Sequence, residues 1–288
     1  MEIEVALLLY NRPEHGEAVI RSLIADGLQR LRVFMDFPDK EEVKVKQEKM
    51  LALLDTVRKN MDVVLHRHSK KQGLANSVRF ALDTCFKDSD AVVLLEDDCV
   101  LRPGGLAFFF EGLTRLRSDS RIRSLSGYLH PCDFVFGGED ELLLLNRFCT
   151  WGWATWKERW ADYDPNLQII IDKFECRGFD VDDCGKDLGL LCKSSRFLKG
   201  EVDIWSLPWI LCHYLSSTHC VYPQESVIEN IGFDGSGLNC RKSNHFQAYP
   251  KRKIQMRRNW KKLNYYPENE MIIRHFLNEH GLKAFPEP

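Results

Sequence analysis

The sequence predicts an α/β fold in which a mostly parallel, doubly wound sheet carries helices on both faces and continues into a second lobe. Three features of the 288 residues predict it. Through the first hundred residues, short apolar runs alternate with stretches of helical periodicity. Each apolar run stops at a polar cluster, and no Gly/Ser/Pro-rich linker or internal repeat divides the chain. Order β, α, β, α, β, α, β is the signature of parallel strands covered on both faces.

Val5-Ala6-Leu7-Leu8-Leu9-Tyr10 is too short for a typical helix and apolar throughout, as a buried parallel strand must be, and Asn11-Arg12-Pro13 ends it. A helix is expected over 14–26, then a strand at Leu31-Arg32-Val33-Phe34-Met35 ending at Asp36. Residues 42–60 read as helix, Asp62-Val63-Val64-Leu65-His66 as strand, 73–86 as helix and Ala91-Val92-Val93-Leu94-Leu95 as the fourth strand. Beyond Pro103 the pattern loosens: a helix over 105–117, a strand over 122–128, then an aromatic segment over 148–160 in which Trp156 and Trp160, four apart, are expected on one helix face. The division is 1–103 as the ligand-binding half, 104–250 as the other half of the same domain, and 251–288 as a basic C-terminal helical segment.

Composition excludes several function classes. A formal net charge of -2 and a pI near 6.5 provide no basic field for a nucleic-acid backbone. No apolar run approaches the roughly 20 residues that span a bilayer, and Met1-Glu2-Ile3-Glu4 is too acidic to start a signal peptide. The ten cysteines are scattered without a CxxC pair, and are expected to be reduced thiols in a cytoplasmic protein. Cys212, His213, His219 and Cys220 do not follow a zinc-ligand spacing. Lys251-Arg252-Lys253 to Lys262 is a basic run with apolar interruptions. It reads as a solvated helix, or alternatively as a peripheral contact with an anionic membrane.

In a doubly wound sheet, ligands bind beyond the carboxyl ends of the strands. Asn11-Arg12-Pro13, Asp36 and Glu96-Asp97-Asp98 all fall there. Three consecutive carboxylates after a buried strand repel one another unless a cation lies between them and an anionic ligand, so a divalent ion on a diphosphate is the expected occupant. Lys71-Gln72-Gly73 opens the helix before that strand and combines a basic residue with a helix N-terminus, which suits an anion.

These features resemble the GT-A glycosyltransferases, whose Rossmann-like first strand often ends in Asn-Arg-Pro and whose metal motif follows a later strand. More narrowly, Glu96-Asp97-Asp98, Trp151-Gly152-Trp153-Ala154-Thr155-Trp156 and Asp203-Ile204-Trp205 are similar to elements of the family of the eukaryotic N-acetylglucosaminyltransferase that initiates complex N-glycans, and of its bacterial relatives. The resemblance runs over most of the chain. It implies Mn²⁺ or Mg²⁺ held chiefly by Asp98, a nucleotide-sugar donor (UDP-sugar favoured) contacted by Asn11, Arg12, Asp36, Lys71, Gly73, Glu96, Asp97 and Ser236, and Asp36 facing the base. It also implies Asp203 as catalytic base and residues 226–237 as a loop over the donor phosphates. On this reading 1–103 binds the nucleotide sugar and 104–250 binds a glycan or lipid-linked acceptor. The chain departs from the family in lacking an N-terminal anchor and stem, and in having one acid at Asp203 where a pair is usual.

The implied chemistry stands on its own terms. Transfer from a nucleotide sugar passes through an oxocarbenium-like centre while a diphosphate departs, and a carboxylate on the opposite face takes the acceptor proton in an inverting displacement. Ile204, Trp205, Leu207 and Trp209 are expected to desolvate Asp203 and raise its pKa; otherwise Asp203 is a helix cap. Trp151 or Trp153 is expected to contact the acceptor or sugar, with core packing the role of most tryptophans here. The competing classes are a sugar nucleotidyltransferase, which should carry a glycine-rich basic loop after the first strand where this chain has Asn11-Arg12-Pro13-Glu14, and a non-catalytic carbohydrate-binding relative.

Overall fold

The structure is a computed structural model and describes residues 1–199, 203–237, 242–246 and 259–284. Strands β1 (Ile3–Leu9), β2 (Arg30–Met35), β3 (Asp62–Arg67) and β4 (Ala91–Glu96) alternate with helices α1 (Pro13–Ala25), α2 (Glu41–Val57) and α3 (Leu74–Cys85). β1 lies between β2 and β4, and the pairings β4-β1, β1-β2 and β2-β3 are all parallel. The expected α/β fold with a mostly parallel central sheet is therefore present, its first three helices within one or a few residues of the ranges read from sequence.

Each helix forms where an apolar stripe and a start signal coincide. Pro13 occupies the first turn of α1, where its missing N–H is not needed, and Val19, Ile20 and Leu23 bury the inner face. In α2 the buried positions Val43, Gln47, Met50, Leu54 and Val57 recur every three or four residues, with one polar side chain in the stripe. Gly73 precedes α3 at φ +82°, a conformation that glycine adopts without steric cost.

The second half of the chain extends the same sheet. After β5 (Cys99–Leu101) and α4 (Gly105–Leu116) come β6 (Ile122–Ser126), β7 (Leu142–Leu145), β8 (Trp153–Trp156) and the short α5 (Lys157–Trp160). There follow α6 (Leu167–Glu175), α7 (Lys186–Lys193), α8 (Ser195–Leu198), α9 (Ser206–Leu215), β9 (His219–Tyr222), β10 (Ile228–Asn230), β11 (Leu263–Tyr265) and α10 (Pro267–Ala284). The nine-stranded order is β11-β7-β9-β6-β8-β4-β1-β2-β3, and β8 runs antiparallel to both β4 and β6. One hydrophobic core runs through both halves, from Leu7 and Val93 to Trp156 and Val221.

Two local readings change. The strand expected to reach Tyr128 stops at Ser126. Trp156 closes strand β8 and Trp160 ends α5, so the two do not share a helix face; the period of two wins over 153–156 because β8 is paired on both sides. The nine cysteines among the described residues are free thiols, eight of them wholly or partly buried. No helix among the described residues is long and apolar enough to cross a membrane. Residues 251–258 of the basic run lie outside the described residues.

Candidate functional site

The carboxyl ends of β1, β2, β3 and β4 form one rim, and two polar groups of residues assemble on it. The first is the acid triplet. Register pairs Leu8 with Glu96, so Arg12 leaves β1 level with the end of β4. Its guanidinium bridges Asp97 and Asp98, the latter at 2.8 Å, with both carboxylates nearly buried. Burial opposes the charge on Arg12, but Asp98 and Asp97 outweigh it and hold the group protonated. Burial, then repulsion from Asp98 and Asp97, pushes Glu96 up from the usual carboxylate range. Asp97 rises through burial as well, with Arg12 opposing and Asp98 adding.

A second ladder covers this cluster. β10 pairs antiparallel with β5, matching Asn230 with Cys99, and Ile231 N–H donates to the Asp98 carbonyl at 3.0 Å. The following turn is thereby laid over the triplet. A Cβ at Gly232 would collide with the Asp98 carboxylate and come within 3.0 Å of Arg12 Nη1, so only glycine allows this approach. Asp234 lies 3.3 Å from His15 Nε2 and accepts the Ser236 N–H at 2.8 Å. Phe233 is buried and stacks on Phe246, 4.7 Å between centroids. Of the loop expected to fold over the phosphates, 226–237 is described, and its Ile231-Gly232 segment packs on the triplet.

The second group surrounds the turn between β3 and α3. Asp36, 7% exposed, accepts N–H bonds from Gln72 and Gly73, both at 2.9 Å, and from Phe37 at 2.8 Å, and pairs with Lys71 at 3.4 Å. Lys71 Nζ also lies 3.2 Å from the centroid of the Tyr10 ring, whose hydroxyl donates to Asp39. From inside α2, Gln47 donates to the carbonyls of Tyr10 (3.1 Å) and Asp36 (2.8 Å), tying the ends of β1 and β2 together. Asp203 completes the group. Its carboxylate accepts the N–H groups of Leu74 and Ala75, the latter at 2.9 Å. Four consecutive N–H groups of this turn thus go to two carboxylates of the chain itself.

Asp203 stands exposed on the rim, not in the expected apolar enclosure. Trp205 is buried against Trp153 at 5.1 Å and turns away from it. The helix it caps is α3, across space, whereas the residue before α9 is Trp205 and makes no side-chain cap. Asn11 is half-buried at the end of β1. Trp153 is 1% exposed and packed among Phe148, Trp160, Trp205 and Trp209, so it offers no face to a sugar; Trp151, 9% exposed, borders Tyr128, Phe233 and Phe246.

Three carboxylates facing one guanidinium leave two negative charges uncompensated when all are ionised, which fits a divalent cation. Among the described residues no group of three or more His, Cys, Asp or Glu side chains is placed to hold a metal ion. One or two carboxylates of the triplet are all that an ion such as Mg²⁺ would need from the protein, its remaining ligands coming from phosphate and water.

No protein-family model matches the chain, and no curated protein matches its sequence. Several solved structures share part of its course. Residues 1–349 of S. aureus TarS align with 13% identity and a TM-score of 0.36 over 49% of this chain, which spans 39% of that protein. A UDP-glucose pyrophosphorylase complexed with UDP-glucose aligns at 6% identity and 0.40, covering 78% of this chain and 90% of the other. A putative glucose-1-phosphate thymidylyltransferase from Bacillus anthracis, in complex with sucrose, aligns at 10% and 0.37, covering 77% and 86%. At these scores the likeness is one of chain course and carries no argument about chemistry.

Proposed function

We propose that the chain is an inverting glycosyltransferase of the GT-A type, moving a sugar from a nucleoside diphosphate donor, with UDP-sugars favoured, to a hydroxyl of a glycan or glycolipid. The observation that carries the reading is the acid triplet at the end of β4, bridged by Arg12 and covered by the Gly232 turn. Asp98, with Glu96 and Asp97 beside it, is the place for Mn²⁺ or Mg²⁺. Such an ion supplies neutralisation of the departing diphosphate. Arg12 aligns the Asp97 and Asp98 carboxylates, and the Gly232 turn excludes water from the phosphate side.

Asp203 is the base in this reading. Leu74 and Ala75 N–H groups fix its carboxylate by one bond to each oxygen, which leaves a lone pair on each for an acceptor hydroxyl. Asp36 and Asp203 flank the same four-residue turn, so the base-facing and acceptor-facing acids of the proposal are joined by consecutive peptide groups. Trp151, at the edge of the aromatic group around Phe233, is the sugar or acceptor contact; Trp153 is excluded by its burial.

The test is a donor panel. The protein with Mn²⁺ and a set of nucleotide sugars should slowly release nucleoside diphosphate and free sugar from one donor without any acceptor. Release of pyrophosphate from a nucleoside triphosphate and a sugar phosphate would instead establish the nucleotidyltransferase reading, and neither activity with any donor would leave only carbohydrate binding.

A further inference from the structure

A cavity of about 350 Å³ lies on the outer side of the β3–α3 turn, at the edge strand of the sheet, away from the acid triplet. His68, Ser69 and Lys70 line it from the end of β3, Gln72 from the turn, and Asn76, Arg79, Phe80 and Asp83 from one face of α3. Its lining is donor-rich and cationic, and the cavity opens to solvent beside the exposed Lys70 and Phe80. Neither Lys70 nor Arg79 has an acid partner among the described residues, although Arg12 is paired with Asp97 and Asp98 and Lys71 with Asp36. Arg79 reaches only the Asn76 side-chain oxygen with one Nη, and its Nε is buried with no hydrogen-bond partner. His68 Nε2, in the same wall, is likewise buried and unpartnered. A buried donor without a partner costs on the order of 1–3 kcal/mol, so the Arg79 Nε–H calls for an acceptor, and His68 Nε2 can join it as a donor in the Nε2–H tautomer.

The acceptor is not supplied by the protein. Asp83 is the sole carboxylate in the lining, and two lysine and arginine charges exceed it; Asp36 and Asp203 face the N–H groups of the turn. We propose that this cavity binds a phosphate group, held by Arg79, Lys70 and His68, as a site separate from the triplet. Guanidinium and ammonium donors match phosphate oxygens in charge and geometry, and the volume leaves room for the moiety that carries the phosphate. That moiety is a phosphorylated acceptor, because the reading on which this proposal rests places the donor's diphosphate at the triplet.

The experiment titrates inorganic phosphate into the full chain, followed by backbone NMR, in the parent and in a Lys70→Gln/Arg79→Gln variant. Phosphate should shift the amides of residues 68–72 and 76–80, and the variant should bind it at least about tenfold more weakly, the scale of one lost charge-assisted bond. Uridine should bind both proteins alike. UDP binding in Mn²⁺ should be unchanged in the variant; weakened UDP binding would show that the cavity holds the nucleotide's phosphate and is not separate from the donor site, and would overturn the proposal. Equal phosphate affinity in the two proteins, no shifts in the parent, or uridine binding lost together with phosphate would overturn it. Asp98→Asn keeps the two readings apart: it should weaken metal-dependent UDP binding by about tenfold or more and leave the phosphate shifts in place.

Discussion

At the residue scale, Asp203 is both a helix cap and the proposed base, and the two roles separate in Asp203→Asn. The amide keeps one acceptor oxygen and turns an N–H₂ toward a backbone donor, so about 1 kcal/mol of stability should be lost with the cap bond. Loss of a general base should lower kcat by roughly 10² to 10⁴ while donor affinity holds. Steady-state kinetics beside thermal denaturation checks both, and near-normal turnover would return Asp203 to capping alone. Gly232→Ala makes an independent prediction. The added methyl cannot fit against Asp98, so the turn should lift and UDP binding in Mn²⁺ should weaken, measured by calorimetry, with the folded state retained. Neither contact was legible in the sequence. Asp203 meets Leu74 across 129 positions, and nothing local to 203–205 announces a partner so distant. Gln47 had a weak signal, a polar side chain in the apolar stripe of α2.

Among the elements, the parallel half was readable because each of its strands is a continuous apolar run and each helix has one buried stripe, so local pattern and tertiary role agree. The turn before α3 shows what pattern misses. Lys71, Gly73 and a helix N-terminus predict an anion, and anions are there, but they are the chain's own Asp36 and Asp203. Gly73→Ala should therefore act through this cap: an alanine at φ +82° costs about 1–2 kcal/mol, and its methyl would collide with the Asp203 carboxylate. Urea denaturation should show at least that loss, and turnover should fall further than in a variant destabilised equally elsewhere. In the second half, β7, β9 and β11 are three or four residues long and gain their identity from long-range pairing, which periodicity does not encode.

The whole molecule joins both halves through one sheet and a core containing two neutral histidines. His213, fully buried, contacts Ser124 Oγ at 2.6 Å and the Trp209 carbonyl at 2.9 Å, and burial above all pulls its pKa down to about 3. Burial, then Arg147, lowers His130 to about 3 as well. For a base depressed in the folded state, the unfolded chain binds more protons between pH 3 and the ordinary value near 6.5. Stability from these groups is thus complete above pH 6.5 and is lost on acidification, by up to about 1.4 kcal/mol per pH unit for each histidine. Chemical denaturation across pH 4–7 should give a shallower acid slope in His213→Asn than in the parent; an equal slope would show that His213 does not carry this linkage.

The claim on which the functional account rests is that a divalent ion at the end of β4 holds the donor's diphosphate, and calorimetry of UDP binding tests it without any knowledge of sugar or acceptor. In Mn²⁺ the parent should bind UDP, and chelation by EDTA or the substitution Asp98→Asn should each weaken that binding by about tenfold or more, the equivalent of at least 1.4 kcal/mol. UDP bound equally well in EDTA and by Asp98→Asn would contradict the account.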